Sequence, residues 1–267
     1  MATPSEKLAE SLEVLRGLQN ENGAAAIRAK DISRTHRERL IENGFLQEVM
    51  KGWYIPSKPD EKQGDSTSWY ASFWQFCAAY LDDRFGKEWC LSPDQSLLIH
   101  SGNWTVPQQL LIRSPKAQNN TTQFPYNTSL FDINAALPEA TEREEKERIR
   151  IYSLSAALIN SSPGFYKSNP TDMRTALSLV RDASDVLPTL LDGGHTVIAG
   201  RLAGAFRNIG RDRMANDVIK AMQSAGYDSR EIDPFTNRII SVGPGRQASP
   251  YVNRLIVMWH AMRTTVI

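Results

Sequence analysis

The spacing of apolar residues divides the chain into stretches of different period. Leu8, Leu12, Leu15 and Leu18 recur at three- and four-residue intervals, which predicts an amphipathic helix with one narrow buried stripe. Thr3, Pro4 and Glu6 precede it as a start signal: a hydroxyl cap, a proline at the first helical position, and a glutamate spaced to return the cap's hydrogen bond. The helix ends around Asn20 to Gly23. A second short helix is predicted from Ile27 or Arg28 to Ile32, and a third from Arg34 to Asn43, capped by Ser33 and closed by Gly44. The period then changes. Phe45, Leu46, Val49 and Met50, followed by Trp53, Tyr54 and Ile55, flank a Lys51-Gly52 turn in the pattern of a hairpin. Three helices and a small hairpin in this order outline a winged helix-turn-helix.

Polar residues from Lys58 to Ser68 read as a linker, and WYASFWQFCAAYL from Trp69 to Leu81 then places Tyr70, Phe73, Trp74 and Cys77 at helical spacing. Strands are predicted at Ser96 to His100, Gln109 to Arg113 and Ser129 to Ile133. The charge run from Thr141 to Arg148 reads as a solvated turn before a strand at Ile149 to Tyr152. Helices follow at 155–161, 170–181, 184–191, 197–208 and 211–225, the third ending at Gly193 and the last at Gly226. Gly200, Ala203, Gly204 and Ala205 give one of them a small-residue face that suits close packing. Residues 228–249 are polar and rich in turn formers. From Tyr251 an amphipathic helix runs to Ile267 with no cap, so either the polypeptide is expected to continue or the helix packs on another chain.

The fold class expected is α+β, mainly α: a winged helix-turn-helix at 1–58, a small β-containing middle layer within a mixed domain at 66–152, a helical bundle at 153–227, and a linker with a C-terminal helix at 228–267. Composition narrows this further. The 267 residues carry 31 Lys and Arg against 30 Asp and Glu, so a net charge of +1 offers no global field for a polyanion. Nucleic-acid affinity must come from a local patch. Cys77 and Cys90 lie in apolar surroundings without ligand spacing and read as reduced core thiols. The N-terminus lacks an apolar leader core and no apolar run is long enough to span a bilayer, which predicts a cytoplasmic protein with no membrane contact.

Catalytic patterns are not evident. His36, His100, His195 and His260 fall in separate segments with no metal-ligand spacing, and neither a nucleophile elbow nor a phosphate-binding loop is present. No catalytic residue, metal or cofactor is therefore expected. The third predicted helix offers instead the long donors that a major-groove helix needs near its N-terminal end: Arg34, Thr35, His36, Arg37 and Arg39. With Leu40 and Ile41 turned inward, Thr35 and Arg39 point outward as base readers, Arg34 lies where phosphates run, and Arg37 falls near the core side. Lys51 at the wing is placed to touch the DNA backbone.

Two stretches resemble known families. Residues 27–56, IRAKDISRTHRERLIENGFLQEVMKGWYIP, resemble the winged helix of AbiEi-type antitoxins of type IV toxin–antitoxin systems, through the Ser-Arg opening of the helix, the apolar pair before Gly44 and the Gly-aromatic-Tyr close of the wing. SPDQSLLIHSG (92–102), VPQQLLIRS (106–114), GGHTVIAGRLAGAFRNIGRDRMAND (193–217) and SAGYDSREIDPF (224–235) resemble the N-terminal, non-catalytic region of bacterial Fic-family proteins. The Fic catalytic motif HPFxxGNGR is absent; GAFRNIGRDR (204–213) imitates it without the histidine, so no catalytic residue carries over.

The resemblance implies a DNA-binding regulator of antitoxin type, associated with a Fic-type system. Such a protein autoregulates transcription on a double-stranded operator, or restrains a toxin, and is expected as a homodimer. The alternative is a module that holds or inhibits a Fic-type toxin or Fic domain without touching DNA, using the apolar face of Leu255, Met258, Trp259 and Met262.

Overall fold

In the computed structural model, which describes residues 3–22, 25–61, 64–236 and 238–239, helices predominate over several small sheets. The chain is α+β and mainly α, as expected. It forms two compact units, each built from interleaved segments.

The first unit comprises Met1–Leu91, Thr105–Leu137 and Glu145–Arg150. Helix α1 (Pro4–Asn22) opens on the anticipated capping box: Thr3 N donates to Glu6 Oε2 at 2.7 Å and Glu6 N donates to Thr3 Oγ1 at 3.3 Å. Its stripe buries Leu15, which joins Ile27, Ile32, Leu40, Leu46 and Tyr54 in one core. The predicted second helix is not formed. Ile27 and Arg28 are strand β1 (Ile27–Arg28), paired antiparallel with β3 (Trp53–Pro56) so that Ile27 faces Tyr54 and Arg28 faces Trp53; turns then lead to Ser33. A partner about twenty-five residues away satisfies this backbone, so local periodicity misreads it. Helix α2 (Arg34–Glu42) is the third helix of the sequence outline, and β2 (Leu46–Met50) completes a sheet in the order β1-β3-β2.

Helix α3 (Thr67–Phe85) carries the aromatic run, and it is core: Trp69 meets Phe73, Phe76 and Phe124 edge to face. Trp53 of the wing strand packs on Phe76 and Tyr80 with ring centroids 5.8 and 5.7 Å away. These contacts place the winged helix and the middle sheet in one compact unit, where the sequence suggested separate domains at 1–58 and 66–152. That sheet runs β4-β5-β7-β6, from β4 (Cys90–Leu91), β5 (Gln109–Ser114), β6 (Thr121–Gln123) and β7 (Ser129–Asn134). Strands β5 and β7 are parallel, and the crossover between them is held by buried Asp132, whose Oδ1 accepts from the backbone of Gln118 and Asn120 at 3.0 Å each. Cys77 and Cys90 are buried and not joined in a disulfide.

The second unit comprises Ser92–Trp104, Pro138–Glu144 and the chain from Ile151. Its first element, α4 (Pro93–His100), is a helix where 96–100 suggested a strand. Ser92 accepts from Gln95 N at 3.3 Å and Pro93 occupies the first turn, a helix start that outweighs the short apolar run Leu97-Leu98-Ile99. The charge run supplies β8 (Arg143–Lys146), which forms a hairpin with β9 (Ile149–Tyr152) across Glu147 and Arg148, and of this hairpin Glu145–Arg150 belong to the first unit. Helices α5 (Leu154–Asn160), α6 (Phe165–Ser168), α7 (Pro170–Leu179), α8 (Leu187–Asp192), α9 (Thr196–Asn208) and α10 (Asp212–Ser224) form the anticipated bundle.

The described part of the segment expected to be a linker, residues 228–236, is packed instead. Ser229, Glu231 and Asp233 are buried, and β10 (Ile232–Asp233) pairs with β11 (Arg238–Ile239). The small-residue face of α9 explains this. A Cβ on Gly200 would stand 2.0 Å from Arg230 O, and one on Gly204 would stand 2.1 Å from Ile232 O, so only glycine lets this segment lie on the helix. Arg207 then reaches the buried Glu231 at 2.5 and 2.9 Å, and Asn208 donates to Asp233 at 3.0 Å. The helix expected from Tyr251, with Leu255, Met258, Trp259 and Met262, lies outside the described residues.

Candidate nucleic-acid interface

Helix α2 begins where Ser33 Oγ accepts from His36 N at 3.3 Å and ends at Gly44, whose φ of +75° suits glycine. Leu40 anchors it in the core, so the helical period decides which side chains face outward. Arg34, Thr35, Glu38, Ile41 and Glu42 are exposed, while His36, Arg37 and Arg39 are half-buried. Arg34 Nε pairs with Glu38 Oε1 at 2.7 Å, and that hydrogen bond raises the guanidinium pKa further above its ordinary value. Both side chains remain largely in water, so the pair is weak and easily exchanged.

Arg39 does not point outward as the sequence suggested. Its Nη1 donates to Lys7 O and to Ser11 Oγ, both at 2.7 Å, because α1 packs along that side of α2 and puts position 39 at the helix contact. His36 Nδ1 meets the same Ser11 hydroxyl at 2.9 Å. Two of the five donors expected on the recognition helix therefore brace it against α1. Arg37 lies toward the core side as anticipated: it donates to Ala29 O at 3.3 Å and its guanidinium stands 5.7 Å from the centre of the Tyr54 ring. Arg34 and Thr35 remain as the outward polar donors at the N-terminal end, followed along the helix by two carboxylates and an Ile41 that is 40% exposed.

Lys51 is exposed in the turn between β2 and β3, beside Gly52 at φ +82°. A pairing irregularity between Glu48 and Met50 bends the wing just before it. Gly52 O accepts from Ala29 N at 2.9 Å, so the wing turn, the turn that replaces the middle helix, and Arg37 of α2 all converge on Ala29. This convergence brings in two cations that had no assigned role in the sequence. Arg28 bonds Asp31 through Nε at 2.8 Å and Asp83 through Nη1 at 2.7 Å, and Lys30 Nζ stands 3.3 Å from Asp83 Oδ1. The hydrogen bond from Arg28, with a smaller contribution from Lys30, holds the Asp83 carboxyl below the ordinary aspartate range. A polar cleft of about 360 Å³, lined by Arg28, Asp31, Trp53, Asp82, Asp83 and Arg148, opens at this point. Nothing in the local spacing of these residues announces it, because Asp82 and Asp83 lie on α3, far along the chain from Arg28.

The remaining chemistry-bearing residues sit apart. His100 Nε2 lies 2.8 Å from Tyr152 O and 3.1 Å from Glu144 Oε1, and His195 opens α9 without capping it. In the stretch resembling a nucleotide-transfer motif, Arg207 binds Glu231 and Arg211 donates to Leu177 O, Val180 O and Arg181 O at the end of α7. Among the described residues no group of three His, Cys, Asp or Glu could hold a metal ion, and no helix is long and apolar enough to cross a membrane.

No protein-family model matches the chain, and no curated protein matches its sequence. Among solved structures it is similar to the crystal structure of the RV2827C protein from Mycobacterium tuberculosis, at 14% identity over 88% of this chain and 84% of that one. The TM-score of 0.35 is too low for that likeness to carry an argument.

Proposed function

We propose that this chain is a DNA-binding regulator of antitoxin type, reading a double-stranded operator through α2 and gripping the backbone through its wing. The observation that carries it is the convergence on Ala29, which holds a capped recognition helix, with Arg34 and Thr35 exposed in its first turn, against a wing with Lys51 at its turn. Arg34 leaves Glu38 for a guanine edge or a phosphate, Thr35 contacts a neighbouring base, and Lys51 neutralises a phosphate. Arg39 and His36 act as positioning residues, fixing α2 on α1. No catalysis by this chain is involved. Association with a Fic-type toxin, and autoregulation of its gene, follow from the family resemblance and belong to the same proposal, as does binding as a homodimer.

Fluorescence anisotropy with the upstream DNA of its own gene and a scrambled duplex, at two salt concentrations, tests this. Selective, salt-sensitive binding is expected. Arg34→Ala should cost about 1–3 kcal/mol on the operator and narrow the preference over the scrambled duplex, whereas Lys51→Ala should weaken both alike.

A second reading has its own observation. Glu38, Glu42 and exposed Ile41 make the later turns of α2 acidic and partly apolar, which suits a basic protein surface better than a phosphate wall. In that case the winged helix docks on a toxin and touches no DNA. Absence of duplex binding at low salt, together with co-purification of a Fic-type partner that Ile41→Asp abolishes, would transfer the function to protein contact.

A further inference from the structure

We propose that the phosphate-binding surface extends past α2 to Arg28 and Lys30, and that Asp83 occupies both cations in the free protein and competes with DNA for them. The inference rests on the DNA-reading proposal and deepens it. Because the middle helix is missing, Ala29 to Ile32 run directly into the Ser33 cap, and Lys30 stands four residues before Arg34 at the same end of the recognition helix. Ala29 is also bonded to Gly52, the neighbour of Lys51. Lys30, Arg34 and Lys51 therefore flank one hydrogen-bonded frame, the arrangement a run of backbone phosphates would meet.

The electrostatics of the free protein oppose that use. A single oxygen, Asp83 Oδ1, takes both Arg28 at 2.7 Å and Lys30 at 3.3 Å, and Asp31 takes the remaining edge of Arg28, so two cations are balanced by two carboxylates. The lock is nonetheless a wet one. Lys30 is 64% exposed and Asp83 37% exposed, and the polar cleft runs alongside, so the pair is screened and exchangeable. A duplex brings several phosphates at once and releases their counterions, which a lone carboxylate cannot match. The same carboxylate repels an approaching phosphate. Asp83 thus sets a threshold: it reduces non-specific attraction to polyanions while leaving the cations ready for a duplex that α2 has already engaged.

The test is a double-mutant cycle in the full chain, by anisotropy on the operator duplex at two salt concentrations. Asp83→Asn should bind about two- to fivefold more tightly, consistent with freeing a weak exposed pair, and should show a steeper salt dependence by about one phosphate contact. Lys30→Gln should weaken binding by itself, with a salt dependence shallower by about one phosphate contact, and should remove most of the gain in the Asp83→Asn background. Unchanged or weaker binding by a folded Asp83→Asn protein, or a gain that survives Lys30→Gln, overturns the extension while leaving α2 as the reader. If the wild type fails to bind duplex even at low salt, the DNA-reading proposal falls and the extension falls with it. Should Asp83→Asn not fold, the Asp83 carboxyl-carbon resonance of the wild type decides: it shifts on adding duplex if Arg28 Nη1 and Lys30 leave that carboxylate, and an unmoved resonance in a complex known to form overturns the inference.

Discussion

Replacing Gly204 with alanine should be costly, although alanine is the better helix former by about 1 kcal/mol. The added methyl would lie 2.1 Å from Ile232 O, 2.5 Å from its carbonyl carbon and 2.9 Å from Asp233 N, all backbone atoms with no rotamer to yield. Restoring ordinary contact moves the segment by more than an ångström. Such overpacking costs about 1–3 kcal/mol. The displacement also strains the Arg207–Glu231 pair, whose carboxylate is only 5% exposed, and severing a buried pair costs about 3–5 kcal/mol. With partial loss of that pair, a net destabilisation of about 2–4 kcal/mol is expected, or roughly a 4–16 °C fall in Tm at 2–4 °C per kcal/mol.

Gly17→Ala in α1 is the control, since its methyl meets nothing within 4 Å and should raise stability by up to about 1 kcal/mol. Urea and thermal unfolding followed by circular dichroism would compare the two. Equal effects, or a Gly204→Ala protein as stable as wild type, would refute the claim that packing of residues 230–233 selects glycine there.

Arg39→Ala should destabilise the protein by about 1–2 kcal/mol by removing charge-assisted bonds to α1, while leaving the operator-to-scrambled preference of the folded protein intact; a selective loss of preference would return Arg39 to the base readers. Burial pushes the Cys77 thiol well above its ordinary range, so a thiol reagent such as DTNB should label neither Cys77 nor Cys90 until the protein is unfolded, and rapid native labelling would contradict the described core. The depressed Asp83 carboxyl gives stability that is fully present above the ordinary aspartate value of 3.8 and is lost as pH falls through the lower folded value. Carboxyl-carbon NMR should place its midpoint below 3.8, and a midpoint at or above that value would show that the Arg28 and Lys30 contacts are not maintained in solution.

What the sequence revealed was what is decided locally. The Thr3–Glu6 box, the Ser33 cap and the Gly44 stop are made within a few residues, so residue type alone announces them. Ile27 and Arg28 were misread because their hydrogen bonds go to Trp53 and Tyr54, and no periodicity in a short window reports a partner so far along the chain. Arg39 failed for a related reason: a helical wheel gives direction about one axis, whereas the side on which α1 crosses depends on tertiary packing. The polar composition of 228–236 suggested solvent, yet Glu231 and Asp233 are polar because they answer Arg207 and Asn208 in a buried setting. Asp83 was hidden in the candidate site because it lies on α3, beyond the polar stretch that suggested a separate domain.

The interleaving of the two units bears on how the chain can be made and divided. The backbone passes between them after Leu91, Trp104, Leu137, Glu144 and Arg150, so synthesis must reach Arg150 before the first unit has all its strands, and the second already has its opening helix by then. No single peptide-bond cleavage can separate one unit from the other. A protease that nicks the chain between Leu91 and Ile151 would leave fragments that each contribute to both units, and a gene fusion or truncation in that interval would damage both at once.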